Sequence, residues 1–210
     1  MKEMMTMHHL IIPCLVLFLS FAACTGSSDQ DPTGQEGPQP DMVEEGPFFS
    51  LVPPEHSAIF FKNGLAENSR INPYTYINSY GGGGVAIGDI NNDGWADIYL
   101  TGNNVIDRLF LNQGDMKFLD ITHHAGTTGG DGWSSGVTMA DVNGDGFLDI
   151  YISRGYDFAD DWLRANILYI NNGDFTFTNK AEEYGLADAG LSVQSTFFDY
   201  DLDGDLDLYV

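Results

Sequence analysis

The stretch Asp89-x-Asn91-x-Asp93-Gly94-x-x-Asp97 decides how this chain is read. It returns twice in the same register, as Asp141-x-Asn143-x-Asp145-Gly146-x-x-Asp149 and Asp199-x-Asp201-x-Asp203-Gly204-x-x-Asp207. Each copy sets side-chain oxygens at loop positions 1, 3, 5 and 9 around a glycine at position 6, the way a hard dication is wrapped, and calcium is the expected ion. Carboxylates crowded this closely repel one another unless a cation neutralises them. Asp, Asn and Gly also populate turns that bind nothing. Three copies in one register argue against that simpler reading.

An EF-hand loop shares the first half of the pattern but needs a bidentate Glu at position 12 and a helix on each side. Position 12 here is Leu100, Ile152 and Val210, and each ninth residue leads into an apolar run: Ile98-Tyr99-Leu100, Ile150-Tyr151-Ile152 and Leu208-Tyr209-Val210. Such runs favour a pleated, buried surface, so each acidic loop is expected to be the turn of a β-hairpin. Position 7, held by Trp95, Phe147 and Asp205, would offer its main-chain carbonyl, which leaves its side chain free to vary.

The loops recur after 52 and then 58 residues, and a second motif travels with them. Leu109-Phe110-Leu111-Asn112-Gln113-Gly114-Asp115 leads into Phe118-Leu119-Asp120-Ile121, and Leu168-Tyr169-Ile170-Asn171-Asn172-Gly173-Asp174 leads into Phe175-Thr176-Phe177-Thr178. Each is a hairpin signature. One repeat then reads as four antiparallel strands, at Val85 to Gly88, Ile98 to Thr101, Leu109 to Leu111 and Phe118 to Ile121. Polar connectors follow at Thr122 to Gly126 and Ala181 to Gly185. A four-stranded unit of this length in tandem is the blade of a β-propeller, whose faces are buried only against neighbouring blades. The expected fold is all-β: a partial propeller of four-stranded blades with calcium-binding hairpin loops, over residues 51–210.

Residues 84–94 followed by Ala96-Asp97-Ile98-Tyr99 resemble the FG-GAP or VCBS repeat of integrin α propellers. Together with the Leu-Phe-Leu-Asn-x-Gly-Asp motif and the amino-terminal signal described below, the chain resembles bacterial proteins related to the cartilage acidic protein family, whose longer members often end in an ASPIC/UnbV domain. The resemblance implies seven blades with calcium in the hairpins, and no particular ligand. Two blades and part of a third do not close a ring, since propellers use about four or more. The chain is therefore expected to be the amino-terminal part of a longer product. Residues 57–62, Ser-Ala-Ile-Phe-Phe-Lys, are a candidate strand for completing a blade begun elsewhere.

The amino terminus reads as a targeting segment, with Lys2 ahead of an apolar run from Leu10 to Phe21 that is too short for a mature membrane span. Phe21-Ala22-Ala23-Cys24 resembles a bacterial lipobox, which implies a signal at 1–23 and lipidation at Cys24. An ordinary secretory signal with Cys24 as a chance thiol is the alternative. Cys14 leaves with the signal, so no disulfide is expected. Residues 24–50, polar and rich in Gly and Pro, read as an acidic tether. An exported lipoprotein at the outer membrane or cell surface is the expected location, with a membrane contact through the lipid alone.

The formal charge is −23, with eight Lys and Arg against 31 Asp and Glu. A protein that neutralises phosphates is excluded by that balance. The expected role is a non-catalytic binding, adhesion or scaffolding module for a protein or glycan. The alternative is the non-catalytic portion of a cell-surface enzyme acting on glycans or other polymers. Gly132-Trp133-Ser134-Ser135-Gly136 matches the G-x-S-x-G string, but a nucleophile elbow needs a helix after it, and here Val137-Thr138-Met139-Ala140 runs into an acidic loop. Gly81 to Gly84 lacks the Lys and the following helix of a phosphate cradle and reads as a flexible loop entering a blade. His123 and His124 are adjacent, which suits a solvated connector better than a metal site. Trp162 and the Tyr74-Tyr76 pair would stack on sugars if exposed, with packing between blades the expected use.

Overall fold

A computed structural model of the chain describes residues 49–156 and 160–210. The signal, Cys24 and most of the tether lie outside the described residues. Phe49–Val210 forms one compact unit.

Among the described residues, ten strands make up three antiparallel sheets. The first contains β1 (Val85–Gly88), β2 (Asp97–Leu100), β3 (Arg108–Asn112) and β4 (Phe118–Asp120), in that spatial order. The second repeats it with β5 (Ser134–Ala140), β6 (Asp149–Arg154), β7 (Ile167–Asn171) and β8 (Phe177–Asn179). The third is the hairpin of β9 (Thr196–Phe198) and β10 (Asp207–Tyr209). Across each acidic loop the residue before position 1 pairs with position 9: Gly88 with Asp97, Ala140 with Asp149 and Phe198 with Asp207. The loops are thus hairpin turns in one register. First strands of successive sheets adjoin, β1 against β5 and β5 against β9. The architecture is a partial β-propeller of four-stranded antiparallel blades.

The period of 2 along each strand sends alternate residues to opposite blade faces. Ile150, Ile152, Ile167, Tyr169 and Phe177 of blade 2 pack with Tyr99, Leu109, Leu111 and Ile121 of blade 1. Their neighbours Tyr151, Leu168 and Ile170 point the other way and pack with Phe197 and Leu208 of the third hairpin. The Tyr151 and Phe197 rings meet edge to face at 5.9 Å. Both faces of blade 2 are therefore buried, which explains its fully buried β6 and β7.

Gly84 marks the close approach of blades 1 and 2, since a Cβ there would lie 2.9 Å from the Val137 nitrogen. The glycine run is thus a packing element where it enters β1. The expected strand at residues 57–62 is absent. Pro53 leads into a single helical turn, α1 (Pro54–Ser57), closed by Ala58 in the left-handed region at φ 60°, and irregular chain follows. Val52, Pro54 and Ile59 instead line a cavity of about 280 Å³ against Ile98 and Phe118 on the outer face of blade 1. Farther along, Tyr76 sits edge-on to Trp133 and Tyr156 at 5.4 and 4.9 Å, as the packing reading expects, whereas Tyr74 is fully exposed.

Candidate metal loops and the blade junction

All three acidic loops turn by the same hydrogen bonds. The position-1 carboxylates of Asp89, Asp141 and Asp199 accept from the glycine N–H at position 6, at 2.7, 2.9 and 3.1 Å. Gly94, Gly146 and Gly204 hold φ of 88°, 91° and 98°, which L side chains rarely adopt. Asp93, Asp145 and Asp203 each accept from the N–H of position 7. Asn91 and Asn143 donate to Asp93 and Asp145.

Position 9 differs from the rest. Asp97 and Asp149 are 0% and 1% exposed, and each braces its loop to the strands around it. Oδ2 accepts from Ile90 N–H at 3.0 Å or Val142 N–H at 2.9 Å, and Oδ1 accepts from Asn112 N–H at 2.7 Å or Asn171 N–H at 2.8 Å. Burial pushes both carboxyls above the ordinary carboxylate range, against the pull of those backbone donors. Asp207 repeats the first bond, accepting from Tyr200 N–H at 2.8 Å.

Asn112 and Asn171 complete the brace from the companion hairpin, a role that motif spacing alone does not reveal. Their side chains donate to Ala96 and Leu148 carbonyls, and Asn171 also reaches the Ile90 carbonyl of blade 1 at 2.8 Å. Position 7 is also more constrained than expected. Trp95 and Phe147 cover the glycines of those hairpins, so that a Cβ at Gly114 would lie 2.8 Å from the Trp95 ring and one at Gly173 3.3 Å from Phe147.

The third loop brings Asp199, Asp201 and Asp207 together, with one oxygen of each within 4.8 Å of the others. Among the described residues it is the one such group of three acidic, His or Cys side chains. Asp199 Oδ1 is buried without a hydrogen-bond partner, a costly state for an oxygen unless a cation meets it. An all-oxygen donor set around such an oxygen fits calcium. The hydrogen bond from Asp205 N–H lowers the Asp203 carboxyl, and Asp203 in turn raises that of Asp205.

At the opposite ends of the strands lies the junction between blades. Asp107, in the β2–β3 connection, accepts from Gly102 N–H at 2.7 Å, Tyr99 O–H at 3.0 Å and, across the junction, Ser134 O–H at 3.0 Å. Burial raises its carboxyl from 3.8 to about 7, against the pull of its three donors and the Arg154 guanidinium. Asn166 holds the same place in blade 2, accepting from Arg154 N–H and donating to the Tyr151 and Ser192 hydroxyls. Ser134 of the G-x-S-x-G string thus lies within a strand, 1% exposed and bonded to Asp107. His123 and His124 sit exposed on the single helical turn α2 (Thr122–Ala125).

These elements define a class: a propeller whose blades are built on acidic hairpin repeats, and residues 89–152 match the model of the FG-GAP-like repeat. Cartilage acidic protein 1 of Xenopus tropicalis is 33% identical over 102 residues, covering 48% of this chain and 16% of that protein. Its Homo sapiens counterpart is 35% identical over 86 residues, covering 41% of this chain and 12% of that protein. The chain thus spans under a fifth of the length of either relative. Among the described residues, no helix is long and apolar enough to cross a membrane.

Proposed function

We propose that the chain is a calcium-stabilised, extracytoplasmic propeller module that binds or scaffolds a partner without catalysing a reaction, held at the outer membrane or cell surface by a lipid on Cys24. The orphaned Asp199 Oδ1, in the loop whose three carboxylates converge, carries this reading, and the same turn hydrogen bond recurs in the other two loops. Calcium would be held by Asp199, Asp201, Asp203 and Asp207, and by Asp89, Asn91, Asp93 and Asp97 and Asp141, Asn143, Asp145 and Asp149 in the other two loops. The bound ion neutralises carboxylates that otherwise repel. The chain does the rest: position 9 ties each loop to its blade, and the blades hold the connector loops at the far end in fixed positions.

Sites of the extracellular kind, with dissociation constants of about 10⁻⁴ to 10⁻³ M, fill only where calcium is millimolar. At about ten times the dissociation constant, one site adds about 1.4 kcal/mol to stability. Chelation is expected to lower the melting temperature and calcium to restore it. Unchanged melting after metal removal, with no ion found by elemental analysis of the purified chain, refutes the reading.

A further inference from the structure

At the connector end of blade 2, opposite the acidic loops, lies a cavity of about 640 Å³, within the size range of small-ligand sites. One wall is the Thr128–Asp131 connector, the second is Trp162, Ala165 and Asn166, in and just after the single turn α3 (Asp161–Arg164), and the third is the segment that follows β8. Trp162 stands on this rim, 64% exposed. So large an exposed aromatic surface beside a cavity is unlike the buried Trp133, which packs against Tyr76 and Tyr156.

Two walls are fixed by one buried group. Arg154 is 5% exposed, and its guanidinium donates to the Gly129 carbonyl on the first wall and to the Trp162 and Leu163 carbonyls on the second. Binding therefore need not order these walls, which removes a main cost of association. The charges around the cavity nearly balance. Asp131, Glu182 and Glu183 face Arg154 and Lys180, and Lys180 is paired with Glu183 at 3.1 Å. In a chain of net charge −23, such a site favours neither a strong anion nor a strong cation. Its mixture of donors and acceptors around an aromatic face suits hydroxyls, which donate and accept, on a ring whose C–H face lies against an indole.

We infer that this cavity binds a neutral saccharide, with Trp162 as its stacking platform and Glu182 and Asp131 accepting from its hydroxyls. The inference rests on the binding-module reading and names the ligand class. The test titrates the full chain, with calcium present, with maltose, cellobiose, lactose and N,N′-diacetylchitobiose at millimolar concentration. A uronic-acid disaccharide and trilysine serve as charged comparators. Amide resonances of Gly129–Asp131 and Lys180–Glu183 report binding.

At least one neutral disaccharide shifts those resonances, and Trp162→Ala weakens the response by about tenfold or more with melting unchanged. Glu182→Ala, a second exposed site, also weakens it and carries the test should Trp162→Ala alter melting. No shift with any neutral sugar, shifts that survive both variants, or a response confined to the charged comparators overturns the inference. Chelation separates it from the metal reading. Saccharide binding with chelator-insensitive melting refutes calcium alone, whereas chelator-sensitive melting with no saccharide response refutes the cavity assignment alone.

Discussion

Replacing Asp107 with Asn tests the blade junction through its dependence on pH. The Asp107 carboxyl ionises at 3.8 when unfolded and at about 7 when folded, because burial outweighs its three donors and the Arg154 charge. A raised carboxyl pKa means that the folded state holds the proton more tightly. The stability tied to that proton is fully present below about 3.8, falls as pH rises, and is gone above about 7. At about 1.4 kcal/mol per pH unit, the loss sums to about 4 kcal/mol. Asn166 shows that a neutral amide fits the same position, accepting from one main-chain N–H and donating to two hydroxyls. Asp107→Asn should therefore match the wild type near pH 4 and exceed it by about 4 kcal/mol near pH 8. Urea unfolding of both proteins across that range, at fixed calcium, cancels the titration of the many other carboxylates in the difference. A difference that stays constant with pH, or a variant less stable near pH 8, refutes the account of the junction.

Asp199→Asn is expected to lower bound calcium by about one ion per chain, read by elemental analysis at a calcium concentration that saturates the wild type. Asp149→Ala leaves Val142 N–H and Asn171 N–H without their acceptor, so a loss of about 2–4 kcal/mol is expected by urea unfolding. Gly114→Ala puts a methyl 2.8 Å from the Trp95 ring at φ 79°, and should cost about 1–3 kcal/mol. Adding Trp95→Ala should recover part of that loss, since it removes the clash and leaves only the backbone strain.

The strands were legible because two periods coincide: alternation within each strand, and recurrence of Asp-x-Asn/Asp-x-Asp-Gly between hairpins. A buried strand such as Ile150-Tyr151-Ile152 has two faces to cover, and its apolar residues on both sides announced a neighbour on each. Residues 57–62 misled because their apolar content resembles a strand, whereas Pro53, Pro54 and the left-handed Ala58 commit the chain to a turn. The turn glycines and acidic positions of the loops were visible as letters. The division of labour among them was not. That the position-9 aspartate braces the backbone depends on donors brought from another hairpin, as Asn112 and Asn171 are. The Asp107 junction was missed for the same reason: a lone carboxylate before a strand carries no local sign that Ser134 will meet it. The cavity beside Trp162 is assembled from three separate connectors, which no single motif spans.

The first two acidic loops also touch one another. Asn92 of the first loop donates to the Gly146 carbonyl of the second at 2.9 Å, and Asn171, which braces the second, reaches back to Ile90 in the first. Reshaping either turn shifts an anchor of the other, so, on the proposed calcium reading, the first two sites are expected to be coupled as nearest neighbours. Filling one of these two loops with calcium should then change the affinity of the other, so that the pair titrates as a linked unit rather than as two independent turns.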